Sequence, residues 1–367
     1  MINFSFFPSR RLALYMARLF VTRTFAVLIM LVLVLMTLDL LGQAGKILAV
    51  PGNTDADLWR YVVLRLPPLI SRFLPFAALL GTLISFVTLN QNSEVVAMKA
   101  AGLSAHQILA PLIIASLVIA GALFAFNEFV VVKSARVVNA WSDNDYKPIP
   151  PESGILSNVW LLQGDDLIHA GIVSGRAPNL SVQGVGIFDR TNGVLQRVIK
   201  ADRAVRQPQG DGWLLQKVTV YDAEMNLVRQ MPTLLAMQGV TPNQMTLAKV
   251  DPDDLDYWTL KQRAAELEAA GRPAEAARAG LAHKISSPLS TVLMPLLAAI
   301  AAFGLARSGQ VLVRAAIGMA LGFTYFVADN FSLAMGNAGA YPPLIAAWAP
   351  FLLFLLIGET VLIRTEE

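Results

Sequence analysis

The chain of 367 residues has no cysteine, so neither a disulfide framework nor a thiolate metal site is open to it, and its redox compartment leaves no mark. Charge is scarce as well, at 15% of residues, and the three histidines, His106, His169 and His283, stand far apart in sequence. No Gly-x-Ser-x-Gly elbow, no HExxH pair and no spaced ligand cluster occurs, which leaves catalysis and metal binding without a motif. The stretch Gly42-Gln43-Ala44-Gly45-Lys46-Ile47 lacks the four residues between glycines and the Ser or Thr after Lys that a phosphate-binding loop requires. ATP hydrolysis by this chain through that route is therefore excluded. If the chain takes part in an ATP-driven process, the ATPase must be a separate subunit.

What the chain has in abundance is apolar sequence. Hydrophobic residues make up 55%, and mean hydropathy is +0.54, beyond the range of an ordinary soluble domain. The net charge of +3 does not point to nucleic acid, because the arginines flank apolar runs, where cytoplasmic loops collect them. A helix needs about 20 mostly apolar residues to cross the hydrocarbon core. Six segments meet or approach that length: 21–41, 69–89, 108–126, 285–306, 311–333 and 341–363. The first is too long for a signal-peptide core and lacks a small-residue cleavage site, so it reads as an uncleaved helix.

Short-loop charge orients the chain. One side carries Arg10, Arg11, Arg18, Arg23, Lys99, Arg307, Arg314 and Arg364, against Lys46, Arg60, Arg65 and Arg72 on the other, which places both termini in the cytoplasm. The polar stretch between the third and fourth spans, 133–250, then lies outside the cytoplasm, which in a Gram-negative bacterium is the periplasm. Residues 195–201 and 214–221 mix β-branched and polar side chains with partial alternation, and Asn192-Gly193 and Asp211-Gly212 signal turns. The expected fold is six transmembrane helices, three and three, around an inserted all-β domain of the sandwich or jelly-roll kind. Residues 251–283 change to a connector, with Asp251-Pro252-Asp253-Asp254 resembling a helix start. The domains expected are thus 1–132, 133–250, 251–283 and 284–367.

The cytoplasmic loop at 91–104 reads as a short helix with a capping Asn or Ser at its start, Gly102 at its end, and an apolar side from Val95, Val96 and Met98. It suits a connector lying on the membrane, or a coupling helix seated in a groove of a nucleotide-hydrolysing partner. Asp39, Arg72, Asp329 and Glu359 are ionisable residues near membrane depth, where charge is expensive and marks function unless the side chain reaches the interface. Gly318-Met319-Ala320-Leu321-Gly322 is a GxxxG that allows close helix approach, at a gate or within one subunit.

These residues carry a resemblance. Ser93-Glu94-Val95-Val96-Ala97-Met98-Lys99-Ala100-Ala101-Gly102-Leu103-Ser104, the upstream Leu74-Pro75-Phe76-Ala77-Ala78-Leu79-Leu80-Gly81 and the later His283-Lys284-Ile285-Ser286-Ser287-Pro288-Leu289-Ser290 resemble the LptF/LptG family of lipopolysaccharide export permeases. The resemblance spans almost the whole chain. Phe326-Val327-Ala328-Asp329-Asn330 and Tyr341-Pro342-Pro343-Leu344-Ile345 are more similar to the LptG branch.

The resemblance implies one half of an ATP-driven exporter in the inner membrane, paired with LptF, driven by an LptB ATPase dimer that uses ATP and Mg, and passing lipopolysaccharide to LptC. This chain itself would bind no cofactor. It implies that Glu94, Val95, Met98, Ala101 and Gly102 form the ATPase-coupling helix, and that the fifth span, with Gly318 and Gly322, lines a lateral gate. For the lipid phosphates the outer cations Lys46, Arg60, Arg65, Arg72, Lys133 and Arg136 are the candidates, with Asp39 and Asp329 beside them. The chain departs from its relatives at the lysines that follow the Asp39 position, where it has Gly42 and Gln43 and its nearest lysine is Lys46. The phosphate site is then rearranged, or the lipid less phosphorylated. If the β domain belongs to the transport path, Val182, Val185, Ile187, Trp213, Leu215 and Val218 line its groove or fill its core. The alternatives are a permease for another cargo, such as lipoproteins, and a receptor sensing through its β domain. The first usually places its large domain after span one. The second normally ends in an effector, whereas only residues 364–367 follow the last span here.

Overall fold

The computed structural model describes residues 9–148, 156–175, 180–191, 193–207, 212–241, 245, 251–269, 273–303 and 311–364. Asn192, Asp211 and Arg307 lie outside them. Helices α1 (Arg10–Leu48), α2 (Asp55–Gln91), α3 (Glu94–Ala100), α4 (Ala105–Phe126) and α5 (Val132–Asp143) come first, a π-helical turn at Asn127–Val131 joining the last two. Strands β1 (Leu156–Gln163), β2 (Asp166–Ser174), β3 (Ser181–Thr191), β4 (Val194–Arg206), β5 (Trp213–Asp222) and β6 (Leu227–Ala236) follow. After a 3-10 turn at Pro252–Asp254 come α6 (Tyr257–Ala269), α7 (Glu275–Phe303), α8 (Val311–Asn337) and α9 (Pro343–Arg364). Among the described residues, Arg10–Leu48, Asp55–Gln91, Ala105–Asp143 and Pro343–Arg364 are long and apolar enough to cross a membrane. Helices α7 and α8 occupy the fourth and fifth expected segments. Arg10, Arg11, Arg18 and Arg23 are helical residues of α1 rather than loop residues.

The chain divides into two compact units: residues 1–39, 66–132 and 256–367, and residues 40–65 and 133–255. The first is a helical bundle. Its core joins Met16, Phe20 and Leu28 of α1, Leu74, Leu79, Leu83 and Phe86 of α2, Ile108 and Leu112 of α4, and Leu293, Leu296 and Leu297 of α7. Prolines interrupt α2 at Pro67, Pro68 and Pro75, and α7 at Pro288 and Pro295, as neighbouring helices allow in membrane bundles.

The second unit is a six-stranded antiparallel sheet in chain order, with the ends of α1 and α2 and helix α5. Tyr146 joins those ends: its carbonyl accepts from Asn53 Nδ2 at 3.0 Å, its hydroxyl donates to Gln43 Oε1 at 3.0 Å, and its ring meets Tyr61 and Trp141 edge-on. One row is skipped in all five strand pairings, the row of Asn158, Gly171, Gly184, Asp202, Lys217 and Pro232. Asn158, Gly184 and Lys217 take the left-handed conformation there, with φ of 52°, 65° and 53°.

Inward alternation shifts by one residue across that row. Ile168 and Ala170 precede Val173 in β2, Ile199 and Ala201 precede Ala204 in β4, and Trp213 and Leu215 precede Val218 in β5, all in one core. One extra residue in a strand bends it and re-aims its side chains. Six such residues lying opposite one another, with the register unchanged across them, crease the whole sheet, so that both halves turn the same face to a common interior. The expected two-layer β domain is, among the described residues, this creased meander. Helix α5 packs on the other face, where Ala140 meets the outward Ile172.

Candidate functional site

The short helix α3 is built from both ends. Ser93 preceding it is left-handed, at φ 57°, and gives no side-chain cap; Asn92 instead donates from Nδ2 to Glu94 Oε1 at 3.4 Å. The expected Ser or Asn cap on the backbone is therefore replaced by a contact to the carboxylate. Gly102, at φ 86°, ends the helix: its N–H donates to Lys99 O at 2.9 Å and that of Leu103 to Met98 O at 3.1 Å, the paired bonds of a Schellman motif. Ser104 then opens α4 with a capping box, its Oγ accepting from Gln107 N at 3.2 Å while its own N–H donates to Gln107 Oε1 at 3.1 Å. No flexible stretch separates the two helices.

Side-chain direction divides the expected coupling residues. Val95 and Met98 are 5% and 7% exposed and belong to the bundle core, so they hold the helix down. The outward side consists of Val96, 66% exposed, with Ala97, Lys99, Ala100, Ala101 and Gly102. Glu94 stands at its start and accepts from the Tyr15 hydroxyl of α1 at 3.3 Å. Sequence reading grouped Val96 with its buried neighbours, because in seven helical residues the periodicity is too short to separate two apolar faces. Elsewhere in the bundle, Arg23 Nη1 donates to Ile84 O at 2.7 Å and Thr88 Oγ1 at 2.6 Å, tying α1 to α2. His106 Nε2 lies 3.2 Å from Glu359 Oε2, joining α4 to α9.

Two polar pairs are largely buried within the bundle. Asp329 of α8 lies 3.8 Å from His283 Nε2 of α7, both side chains largely buried. Lys284 Nζ stands 3.8 Å from Glu128 Oε1, with those side chains only 13% and 10% exposed. Asn127, beside Glu128, accepts from Ser71 Oγ of α2 at 2.6 Å. Glu128 escaped the sequence reading, although Asn127-Glu128 is a visible polar pair at the end of an apolar run. Gly318 and Gly322 are buried in α8, and a side chain at Gly322 would run into Leu79 of α2 in the same chain. Gly322 thus lies close against α2.

The candidate phosphate ligands differ in their settings. Arg72 is exposed and Asp39 half-buried in the bundle unit. In the sheet unit Lys46 and Lys133 are exposed and Arg65 is half-buried, while the Arg60 guanidinium lies 5.0 Å over the Trp141 ring. Arg136 gives both Nε and Nη2 to the carbonyl of Asp254, at 3.0 and 2.9 Å, and Asn139 Nδ2 donates to Asp254 Oδ1 at 3.0 Å. These two residues of α5 hold the segment that leaves the sheet. The expected lining or core residues Val182, Val185, Ile187, Trp213, Leu215 and Val218 are all buried, and Trp213 Nε1 donates to Val240 O at 2.9 Å.

Residues 14–364 match the family described as lipopolysaccharide export system permease LptF/LptG. The lipopolysaccharide export system permease protein LptG of Escherichia coli K12 is 27% identical over 337 residues, covering 89% of each chain. The protein of that name from Haemophilus influenzae is 24% identical over 324 residues, covering 86% of this chain and 89% of its own. With the match running from the first turns of α1 to the end of α9, the chain belongs to the LptF/LptG family of lipopolysaccharide export permeases.

Proposed function

We propose that the chain is a permease subunit of an ATP-driven exporter that lifts lipopolysaccharide from the bacterial inner membrane and hands it to a periplasmic β bridge leading to the outer membrane. In this reading α1, α2, α4, α7, α8 and α9 are the six spans, both termini are cytoplasmic, and the creased sheet is a periplasmic jelly-roll-like domain. The partner permease is LptF, the motor an LptB dimer using ATP and Mg, and the acceptor LptC.

The observation that supports this most directly is α3. A helix clamped at one end by a Schellman motif, fastened by Val95 and Met98 and turning Val96 and small residues outward suits a rigid knob for a groove on another protein. Glu94 at its start adds a charge for recognition. Substitutions Glu94→Arg and Val96→Asp are expected to abolish copurification of the ATPase while leaving the permease pair intact. Wild-type ATPase yield with unchanged lipid release would defeat the docking role. For the lipid phosphates, the exposed Lys46 and Lys133 are the stronger candidates, because Arg136 is already engaged with Asp254. Binding of extracted lipopolysaccharide that survives Lys46→Gln with Lys133→Gln would remove both.

A further inference from the structure

We infer that Glu128 is a positioning residue of transport, placed where one rigid helix carries movement of α3 to the returning connector and to α7. The argument starts at the capping box. Because Ser104 and Gln107 fasten α4 directly behind the Schellman end of α3, a displacement of α3 must be taken up by α4. Its 22 residues extend about 32 Å. At its far end the helix loosens into the π turn Asn127–Val131, a geometry rare in helices and concentrated at functional positions.

Three helices meet that turn. Asn127 takes Ser71 of α2, and Glu128 takes the other two. Glu128 Oε2 accepts the backbone N–H of Tyr257 at 2.6 Å, a short charge-assisted bond to the first residue of α6. This N–H is one of the donors a helix start leaves without a partner, and the helix dipole favours a carboxylate there. The second oxygen, Oε1, is buried, accepts no hydrogen bond and stands 3.8 Å from Lys284 Nζ on α7.

A buried carboxylate with one oxygen bonded and the other facing an ammonium beyond hydrogen-bond distance is poor use of charge for stability alone. It fits a joint with two settings, open at 3.8 Å and closed when the π turn shifts and Lys284 reaches Oε1. Through it, the end of α4 governs both the helix that returns from the β strands and the bundle helix α7.

The inference rests on the exporter reading, and the test separates the two. The complete complex of both permeases and ATPase is placed in liposomes, with lipopolysaccharide release and ATP hydrolysis measured together. A wild-type complex that hydrolyses ATP without releasing the lipid would overturn the exporter reading and this inference with it. Given wild-type release, Glu128→Gln keeps an acceptor for Tyr257 N–H and drops the charge toward Lys284, and Lys284→Met removes the other partner. Each is expected to lower lipid released per ATP about tenfold, with the melting temperature of the complex and its ATPase rate little changed. Glu128→Ala, which also loses the Tyr257 bond, is expected to fall further. A release-per-ATP ratio at the wild-type value in Glu128→Gln and Lys284→Met, or one that declines only in step with melting temperature, would overturn the role of Glu128.

Discussion

The two compact units turn opposite faces to their surroundings. In the sheet, Val159, Val182, Ala204, Trp213 and Leu215 are 0% exposed. In α1, Leu33 is 63% and Leu38 61% exposed, while the bundle buries Thr24, Thr82, Ser85, Ser116, Ser286, Ser290 and Thr291. Water is the solvent for one unit and lipid for the other, so an apolar side chain is driven inward only in the first. Hydropathy finds both units. It means something different in each.

The sharpest test of that contrast is a pair of truncations. Trp213→Ala removes the largest side chain of the sheet core and its bond to Val240, and is expected to cost about 3 to 5 kcal/mol, read as lost hydrogen-exchange protection across β3 to β5 in the intact chain. Leu33→Ala should change the bundle by no more than about 0.5 kcal/mol. Equal effects would break the comparison.

Close packing in the bundle comes next. Gly322→Leu forces Leu79 aside and should cost about 1 to 3 kcal/mol in thermal unfolding of the detergent-solubilised protein, with partial recovery on adding Leu79→Ala. Failure of the second substitution to restore anything would mean that Gly322 packs elsewhere. The crease of the sheet is a smaller target. Gly184→Ala places a side chain on a left-handed residue and should cost about 1 to 2 kcal/mol, whereas Gly186→Ala in the same strand, with only ordinary contacts around it, should cost less.

The smallest expected effect is one of pH. His169 sits between Trp160, at a ring distance of 4.5 Å, and Asn158 Oδ1 at 3.0 Å, and burial lowers its pKa below the usual 6.5. The folded sheet then binds fewer protons than the unfolded chain in that range. Its stability is complete above about pH 6.5 and declines as pH falls through the lowered value. His169→Phe keeps a ring beside Trp160 and should flatten the acid side of exchange protection in β2. An unchanged pH profile would show that another group titrates.

Much of the site was legible before any coordinates. Gly102 at the end of α3 is required by its positive φ, whereas the capping box of Ser104 and Gln107 went unread. Strands β4 and β5 stand where β-branched and polar residues mix, although their alternation breaks at the crease. What escaped was direction: a seven-residue helix does not reveal which of Val95 and Val96 faces the bundle. The crease escaped as well. No single strand advertises it, since Asn158, Gly171, Asp202 and Pro232 share no residue type, and only the register puts them in one row.

By itself the sequence determined the apolar or polar character of each segment, the number and order of long apolar helices expected, and the glycine that ends α3, because those depend on local composition and backbone conformation. Tertiary structure decided the rest: that Glu128 meets Tyr257 and Lys284 from positions more than a hundred residues away, that Asp329 pairs with His283, and that Arg136 serves Asp254. A charge in a poorly solvating interior takes its partner from whichever helix packs beside it, and that neighbour is set by the packing of the whole bundle.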